Sequence, residues 1–303
     1  MSTPHVRNDS VYQGIALIVS AVFLLSLADA SVKYFSTRLA LWQLFLLVSC
    51  ISVPLLGTWL ATRISSGQLH VTSVPWVTAR SILLLLMWVA YYSALPLIPL
   101  SVAAVAIYTT PLFIAILSTC YGAERLSARG WIAVAVGFAG VAIVLRPGSE
   151  AFDLAVLLPV IGAVFYAAAM VVTRRHCRGE HPLVMALGLN IAFLIAASFG
   201  GLLSYLGGPA LMASAPGLFL TWQPIGWQEA IFIVSYAIAL VTINTATAKA
   251  YQIAPSALIG TFDYIYLIFA CLWGYLIFDE VPGVHTWGGM LLILVAGLLV
   301  IRR

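Results

Sequence analysis

The sequence predicts an all-α integral membrane protein of ten transmembrane helices, arranged as two inverted-topology repeats of five helices each. Three observations carry that prediction. Of the 303 residues, 63% are apolar and only 8% charged, against roughly 25% charged in soluble domains. Apolar stretches long enough for a bilayer, about 20 residues each, recur from Val11 to the C-terminus. Residues 94–146 and 250–302 also match one another in a single ungapped register.

The spans follow in order. The first, 12–35, opens after Arg7 and closes on Lys33, Tyr34 and Phe35. Ala28-Asp29-Ala30 imitates a signal-peptidase site, but the apolar run from Val11 to Leu27 exceeds the 7–15 residues of a leader, so it reads as a retained helix. Span two, 41–61, stops ahead of Arg63 and the polar Ser65-Ser66-Gly67-Gln68. Span three, 77–95, is Leu-rich from Leu83 to Leu86. Pro99 starts span four, 100–120, at a position where a missing N–H is harmless. Span five, 129–146, ends at Arg146-Pro147, and span six, 154–173, at Arg174-Arg175. Pro182 precedes span seven, 183–206, and Trp227 precedes span eight, 228–250. Pro255 opens span nine, 255–277, and Pro282-Gly283 precedes span ten, 285–301. Lipid offers no partner to a bare peptide group, so each run satisfies its backbone as a helix; none shows the alternation of a barrel strand.

Sliding the chain by 156 positions sets Pro99, Tyr108, Glu124, Trp131 and Arg146 over identical residues at Pro255, Tyr264, Glu280, Trp287 and Arg302. The halves, 12–146 and 154–303, therefore read as duplicates. Five spans is an odd number, so the second copy enters the membrane from the opposite side. Inverted halves exchange conformations to turn an outward-open cavity into an inward-open one, with substrate held near the midplane. Duplication for stability alone is the plainer alternative.

With the N-terminus in the cytoplasm, the inner side holds Arg7, Arg63, Arg80, Arg125, Arg129, Arg174, Arg175, Arg178, Lys249, Arg302 and Arg303, and the outer side only Lys33, Arg38 and Arg146. That bias puts both termini in the cytoplasm. The net charge of +4 implies no nucleic-acid partner; the lipid bilayer is the partner the composition demands.

Several stretches are similar to the EamA-like branch of the drug/metabolite transporter superfamily. They are Asp29-Ala30-Ser31-Val32-Lys33-Tyr34, Leu95-Pro96-Leu97-Ile98-Pro99-Leu100, Tyr108-Thr109-Thr110-Pro111-Leu112-Phe113, Gly122-Ala123-Glu124-Arg125-Leu126, Val172-Thr173-Arg174-Arg175, Ala248-Lys249-Ala250-Tyr251 and Phe278-Asp279-Glu280. The resemblance covers essentially the whole chain. It implies a basket of ten helices in a bacterial inner membrane, with a central cavity lined by spans 1, 3, 4, 6, 8 and 9. It also implies export of amino acids or related small metabolites from the cytoplasm, aromatic amino acids included. The rival reading is uptake of a larger metabolite, such as a nucleoside-like or vitamin compound. Relatives of the Asp-x-x-Val-Lys type often carry an Arg within the second helix where this chain has Gln43-Leu44-Phe45-Leu46-Leu47-Val48, which speaks against carrying over that subgroup's nucleotide-like and vitamin substrates.

Ionisable groups inside spans are costly, so those present should be paired or face a cavity. Asp263 in span nine is the deepest acid and the candidate proton-sensitive or amine-binding group, or else a packing carboxylate. Asp29 and Lys33 lie four apart on one helix face and can pair with each other or extend toward the interface. Trp88, Tyr91 and Tyr92 share a face of span three, and Tyr108, Tyr166, Tyr236, Tyr264 and Tyr266 lie away from most predicted helix ends. A deep tyrosine hydroxyl wants a partner, so these rings offer apolar walls with polar ends, or plain packing. Asn244 in span eight is the uncharged polar candidate. Pro111, in the middle of span four, should kink it and gate the cavity. Gly137, Gly140, Gly288 and Gly289 permit close helix contact, within the chain or at a dimer seam, so the oligomer reads as monomer or homodimer.

No GxxxxGK[ST] loop, HExxH or GxSxG occurs, so neither direct ATP coupling nor enzyme chemistry is expected, and no cofactor is implied. His176, Cys177, Glu180 and His181 have metal-ligand chemistry but no ligand spacing, and no metal site is expected.

Overall fold

Each apolar run becomes a helix, as a chain without water partners requires. The structure is a computed structural model and describes residues 4–63, 73–120, 128–145, 153–177, 180–214, 221–253, 259 and 262–301. The helices are α1 (Pro4–Phe35), α2 (Leu41–Arg63), α3 (Val74–Ala94), α4 (Leu100–Ile107), α5 (Thr110–Cys120), α6 (Ala128–Leu145), α7 (Leu157–His176), α8 (Pro182–Ser214), α9 (Trp227–Ile253), α10 (Ile265–Phe278) and α11 (Val284–Ile301). No strand occurs among the described residues. Seven segments are long and apolar enough to cross a membrane, one of them the α4–α5 pair, and Gly130–Leu145, Ile265–Phe278 and Val284–Ala296 add three shorter apolar helices. The ten segments fall on the ten expected spans, and the opening of span nine at Pro255 lies outside the described residues. Ala28, Asp29 and Ala30 lie buried in an unbroken α1.

Large apolar residues remain on the outside. On α8, Ile195, Phe199, Leu202 and Leu206 form an exposed stripe at helical spacing. On α10, Ile268, Leu272, Tyr275 and Leu276 are exposed, while Tyr266, Leu267, Ala270, Cys271 and Gly274 turn inward. Such helices present one apolar face to lipid and keep the other for neighbours, because lipid tails are as apolar as leucine.

The chain divides into two compact units, and each draws on both sequence halves. Unit 1 comprises Met1–Ser31, Ile98–Val156 and Ala239–Arg303; unit 2 comprises Val32–Leu97 and Leu157–Ile238. In unit 1, α10 packs on α4 and α11 on α6. In unit 2, α3 packs on α7 and α8, and α2 on α8.

Three pairs of helices pack antiparallel within their units. The start of α4 meets the end of α10, since Leu100 Cβ lies 3.9 Å from a Cβ built on Gly274, while Tyr108 beyond the end of α4 stacks on Tyr266 near the start of α10. On α6 and α11, Gly140 opposes Gly289, Leu292 and Ile293, and Val144 opposes Gly289. In unit 2, Trp42 near the start of α2 covers Gly200 and Gly201, and Phe45, one turn on, stacks on Phe193 of α8.

Glycine sets the closest of these crossings. A Cβ at Gly140 would lie 2.9 Å from the Gly289 carbonyl oxygen, whereas one at Gly288 would meet nothing within 4 Å. Gly140 and Gly289 thus serve packing within the chain.

Asp279-Glu280 closes α10. Asp279 takes a left-handed conformation, φ 56°, and Glu280 N–H donates back to Gly274 O at 3.0 Å, a C-terminal motif that occupies otherwise orphan carbonyls. The turn aims the Glu280 carboxylate at α4, where it accepts the Leu100 N–H at 2.8 Å. A carboxylate at a helix N-terminus satisfies a free N–H and complements the helix dipole.

Candidate functional site

Span four is interrupted next to Pro111. Proline lacks the N–H that would reach the carbonyl four residues back, and its ring crowds that carbonyl. For Pro111 the carbonyl is that of Ile107, and the Thr110 hydroxyl takes it over at 2.7 Å. One residue earlier the Thr109 hydroxyl donates to Ala106 O at 2.7 Å. The helix ends at Ile107 and restarts at Thr110, leaving Tyr108 at φ −74°, ψ 5°. Pro111 therefore sits in the first turn of α5, a favourable place for it. The same lapse occurs in the other half without a proline: Tyr264, the counterpart of Tyr108, precedes α10 at φ −63°, ψ −13°.

The two lapses face each other in unit 1. The Tyr108 ring lies 5.5 Å from Tyr264 and stacks on Tyr266 at 5.1 Å and 18°. Its hydroxyl donates to the Asp263 carbonyl at 3.1 Å and approaches the Asp263 carboxylate at 3.5 Å. Tyr266, buried, donates to Asp29 Oδ2 at 2.6 Å. The structure thus brings together Asp29, Tyr108, Asp263, Tyr264 and Tyr266: three rings with a carboxylate at either end. Asn244 does not join them and stands exposed on α9.

A second cluster lies in unit 2. Trp88, Tyr91 and Tyr92 on α3 touch one another, with Trp88 and Tyr92 at 4.9 Å. The Tyr92 and Tyr236 hydroxyls share a short hydrogen bond. Phe45 lies 6.1 Å from Tyr92 and stacks on Phe193 at 4.6 Å. Nearby, Phe35 stacks on Phe232 at 4.5 Å and 13°, and both line a cavity of about 20 Å³ together with Tyr92, Pro96 and Leu44, room for about one water. Lys33, part-buried, lies on α1 one turn beyond Asp29. Tyr166 lies on α7 within electrostatic reach of Arg80.

Arg80 is a residue that sequence reasoning misplaced. Grouped above with the flanking cations, it lies inside α3, where its Nε donates to Thr173 Oγ1 at 2.9 Å and its Nη1 to Met185 O at 3.5 Å. It ties α3 to α7 and α8. Its position three residues inside the expected span was the available signal. Nearby, Glu180 accepts the Ser73 N–H at 2.8 Å at the start of α3, His176 stacks on Trp76, and His181 Nδ1 accepts the Leu183 N–H. Cys177, buried beside them, has its thiol pushed up by that burial. These four residues do structural work at helix ends. Gln43, fully buried, exchanges two hydrogen bonds with the backbone of Gln223, at 2.8 and 3.1 Å.

The comparisons with known proteins decide the family. The family model described as EamA-like transporter family matches residues 12–146. A riboflavin transporter of Rhizobium johnstonii is 30% identical over 77% of this chain and 72% of its own length. The chain belongs to the EamA-like transporter family. Other proteins similar to it include the pseudopaline exporter CntI of Pseudomonas aeruginosa, 26% identical over 95% of both chains. The S-adenosylmethionine uptake transporter of Rickettsia felis is 25% identical over 92% of this chain and 90% of its own. A solved crystal structure of a protein shares the fold at TM-score 0.59 and 20% identity, covering 98% of this chain and 96% of that one. This EamA-family chain is accordingly a multi-pass membrane transporter and not an enzyme. None of these relatives is named as an amino-acid exporter. Gln43 itself anchors a backbone segment.

Proposed function

We propose that the chain is a secondary carrier for a metabolite with a flat ring and polar ends, of the vitamin or nucleoside-like class, working by alternating access between inverted halves 12–146 and 154–303. The ring cluster around Tyr92 and Tyr236 carries this reading. Aromatic faces stack on a flat heterocycle and tyrosine hydroxyls bond its polar edge, and the molecules named for two relatives, riboflavin and S-adenosylmethionine, both contain a fused nitrogen heterocycle with a hydroxyl-bearing arm. Three pairs of corresponding helices packed antiparallel, and the matching lapses at Tyr108 and Tyr264, support the inverted repeat. The excess of arginine on one side supports cytoplasmic termini in a bacterial inner membrane.

Export of amino acids is the second reading. The Asp29 and Asp263 carboxylates beside tyrosines suit an ammonium group, and one relative is named an exporter.

The deciding experiment is counterflow of labelled riboflavin, S-adenosylmethionine, tryptophan and leucine into proteoliposomes preloaded with the same compound. The proposal expects riboflavin or S-adenosylmethionine to exceed both amino acids. Counterflow of the amino acids alone would replace it with the second reading.

A further inference from the structure

The reading above leaves unexplained why an acid stands where span nine loses its helical regularity. Asp263 immediately precedes Tyr264, and it is part-buried. No cation lies within ion-pairing distance of its carboxylate among the described residues; the side-chain hydrogen bond it receives is the long one, 3.5 Å, from Tyr108. The elements around it supply the Tyr108 phenol from the end of α4, Tyr264 and Tyr266 from its own segment, and Asp29 from α1, held by Tyr266. Lys249 on α9 and His285 on α11, two cations of unit 1, are exposed. An ionised carboxylate inside a span is costly unless something neutralises it, and unwound helix segments are where carriers place coupling ions.

We propose that Asp263 is the proton-binding group that couples this carrier to a proton gradient, with Tyr108 as the residue that reports its charge to span four. A proton arriving from water forms an O–H bond to the Asp263 carboxylate and leaves to water on the other side, so one positive charge crosses with each cycle. While Asp263 is ionised, the Tyr108 hydroxyl is shared between its carboxylate and its carbonyl. Once Asp263 is protonated, the hydroxyl settles on the carbonyl, and the side-chain link between the two irregular segments is released.

The assignment rests on the carrier reading, and two measurements separate their failures. The first needs no substrate. Infrared pH titration of the purified protein should show a protonated-carboxyl band that is absent in Asp263→Asn and that appears at higher pH in Tyr108→Phe, which keeps the acid but removes the hydroxyl that bonds its ionised form. No difference in that band between wild type and both variants overturns the assignment. The second is riboflavin and S-adenosylmethionine uptake into proteoliposomes with and without a pH gradient. Wild type should accumulate up to about tenfold more label per pH unit for one proton per substrate, and in Asp263→Asn the ratio should fall to one. A gradient response that survives in Asp263→Asn overturns the assignment. Absence of counterflow for both probes, with the carboxyl band present, refutes the substrate class and leaves the proton site standing.

Discussion

The Tyr266 hydroxyl and the Asp29 carboxylate form a 2.6 Å hydrogen bond across 237 positions of sequence, with both side chains buried at 1% and 2% exposure. A bond to a charged group is worth about 1.5–3 kcal/mol when its partner is removed. Tyr266→Phe should therefore lower the melting temperature of the detergent-solubilised protein by that equivalent while keeping the ring stack on Tyr108. Asp29→Asn should also destabilise it, and the double variant should lose less than the two combined, because directly bonded residues are not additive. Strictly additive losses would show that the bond is not the source.

At the α6–α11 crossing, Gly140→Ala places a Cβ 2.9 Å from the Gly289 carbonyl oxygen and 2.9 Å from Leu292 Cβ. Overpacking of this kind costs about 1–3 kcal/mol. Gly288→Ala, one position from Gly289, meets nothing within 4 Å and should be neutral or stabilising by up to about 1 kcal/mol through helix propensity. Melting curves of the two variants make a direct comparison. Equal stability would remove the close-crossing argument.

Pro111→Ala restores an N–H within reach of the Ile107 carbonyl, which the Thr110 hydroxyl now occupies. Span four should then close into one helix and stabilise the resting protein, while transport slows by about tenfold, equivalent to about 1.4 kcal/mol on the conformational step. A normal counterflow rate in this variant would deny the interruption any part in gating.

Arg80 binds both α7 and α8 from inside α3. Arg80→Met should cost about 1.5–3 kcal/mol of stability. Arg80→Lys should recover only part of that, since an ammonium lacks the planar fork that reaches both acceptors. Full recovery by lysine would reduce Arg80 to a flanking charge.

Removal of the Glu280 carboxylate frees the first amide of α4. Glu280→Ala should cost about 1 kcal/mol, as for loss of a helix cap, and hydrogen exchange at the Leu100 amide should quicken about fivefold.

Helix number and placement were legible because the bilayer imposes one strong requirement, about 20 apolar residues per crossing, and Pro99, Pro182 and Pro282 punctuate the runs. The aromatic face Trp88-Tyr91-Tyr92 was readable from helical spacing alone, since neighbours on one turn need no tertiary information. What their hydroxyls bond was not: Tyr92 finds Tyr236, and Tyr266 finds Asp29, partners set by which helices meet. Pro111 marked the irregular place in span four, while the Thr109 and Thr110 hydroxyls that take over the carbonyls there were not legible beforehand. No proline signals the matching lapse at Tyr264; only the repeat register points to it. The interleaving of the halves into two units was illegible, since local periodicity says nothing about which distant spans share a core.

That interleaving also dictates an order of birth. Chains are made from the N-terminus, and compact bodies form as their segments become available. Unit 2 is supplied in full once synthesis passes Ile238, whereas unit 1 requires Ala239–Arg303 to join residues made at the very beginning. During insertion α1, α4, α5 and α6 must wait in the membrane for α10 and α11, and the buried Asp29 carboxylate enters lipid long before Tyr266 exists to receive it. A ribosome stalled near residue 240 would leave one finished body and a set of small-residue helices exposed to whatever else the membrane offers.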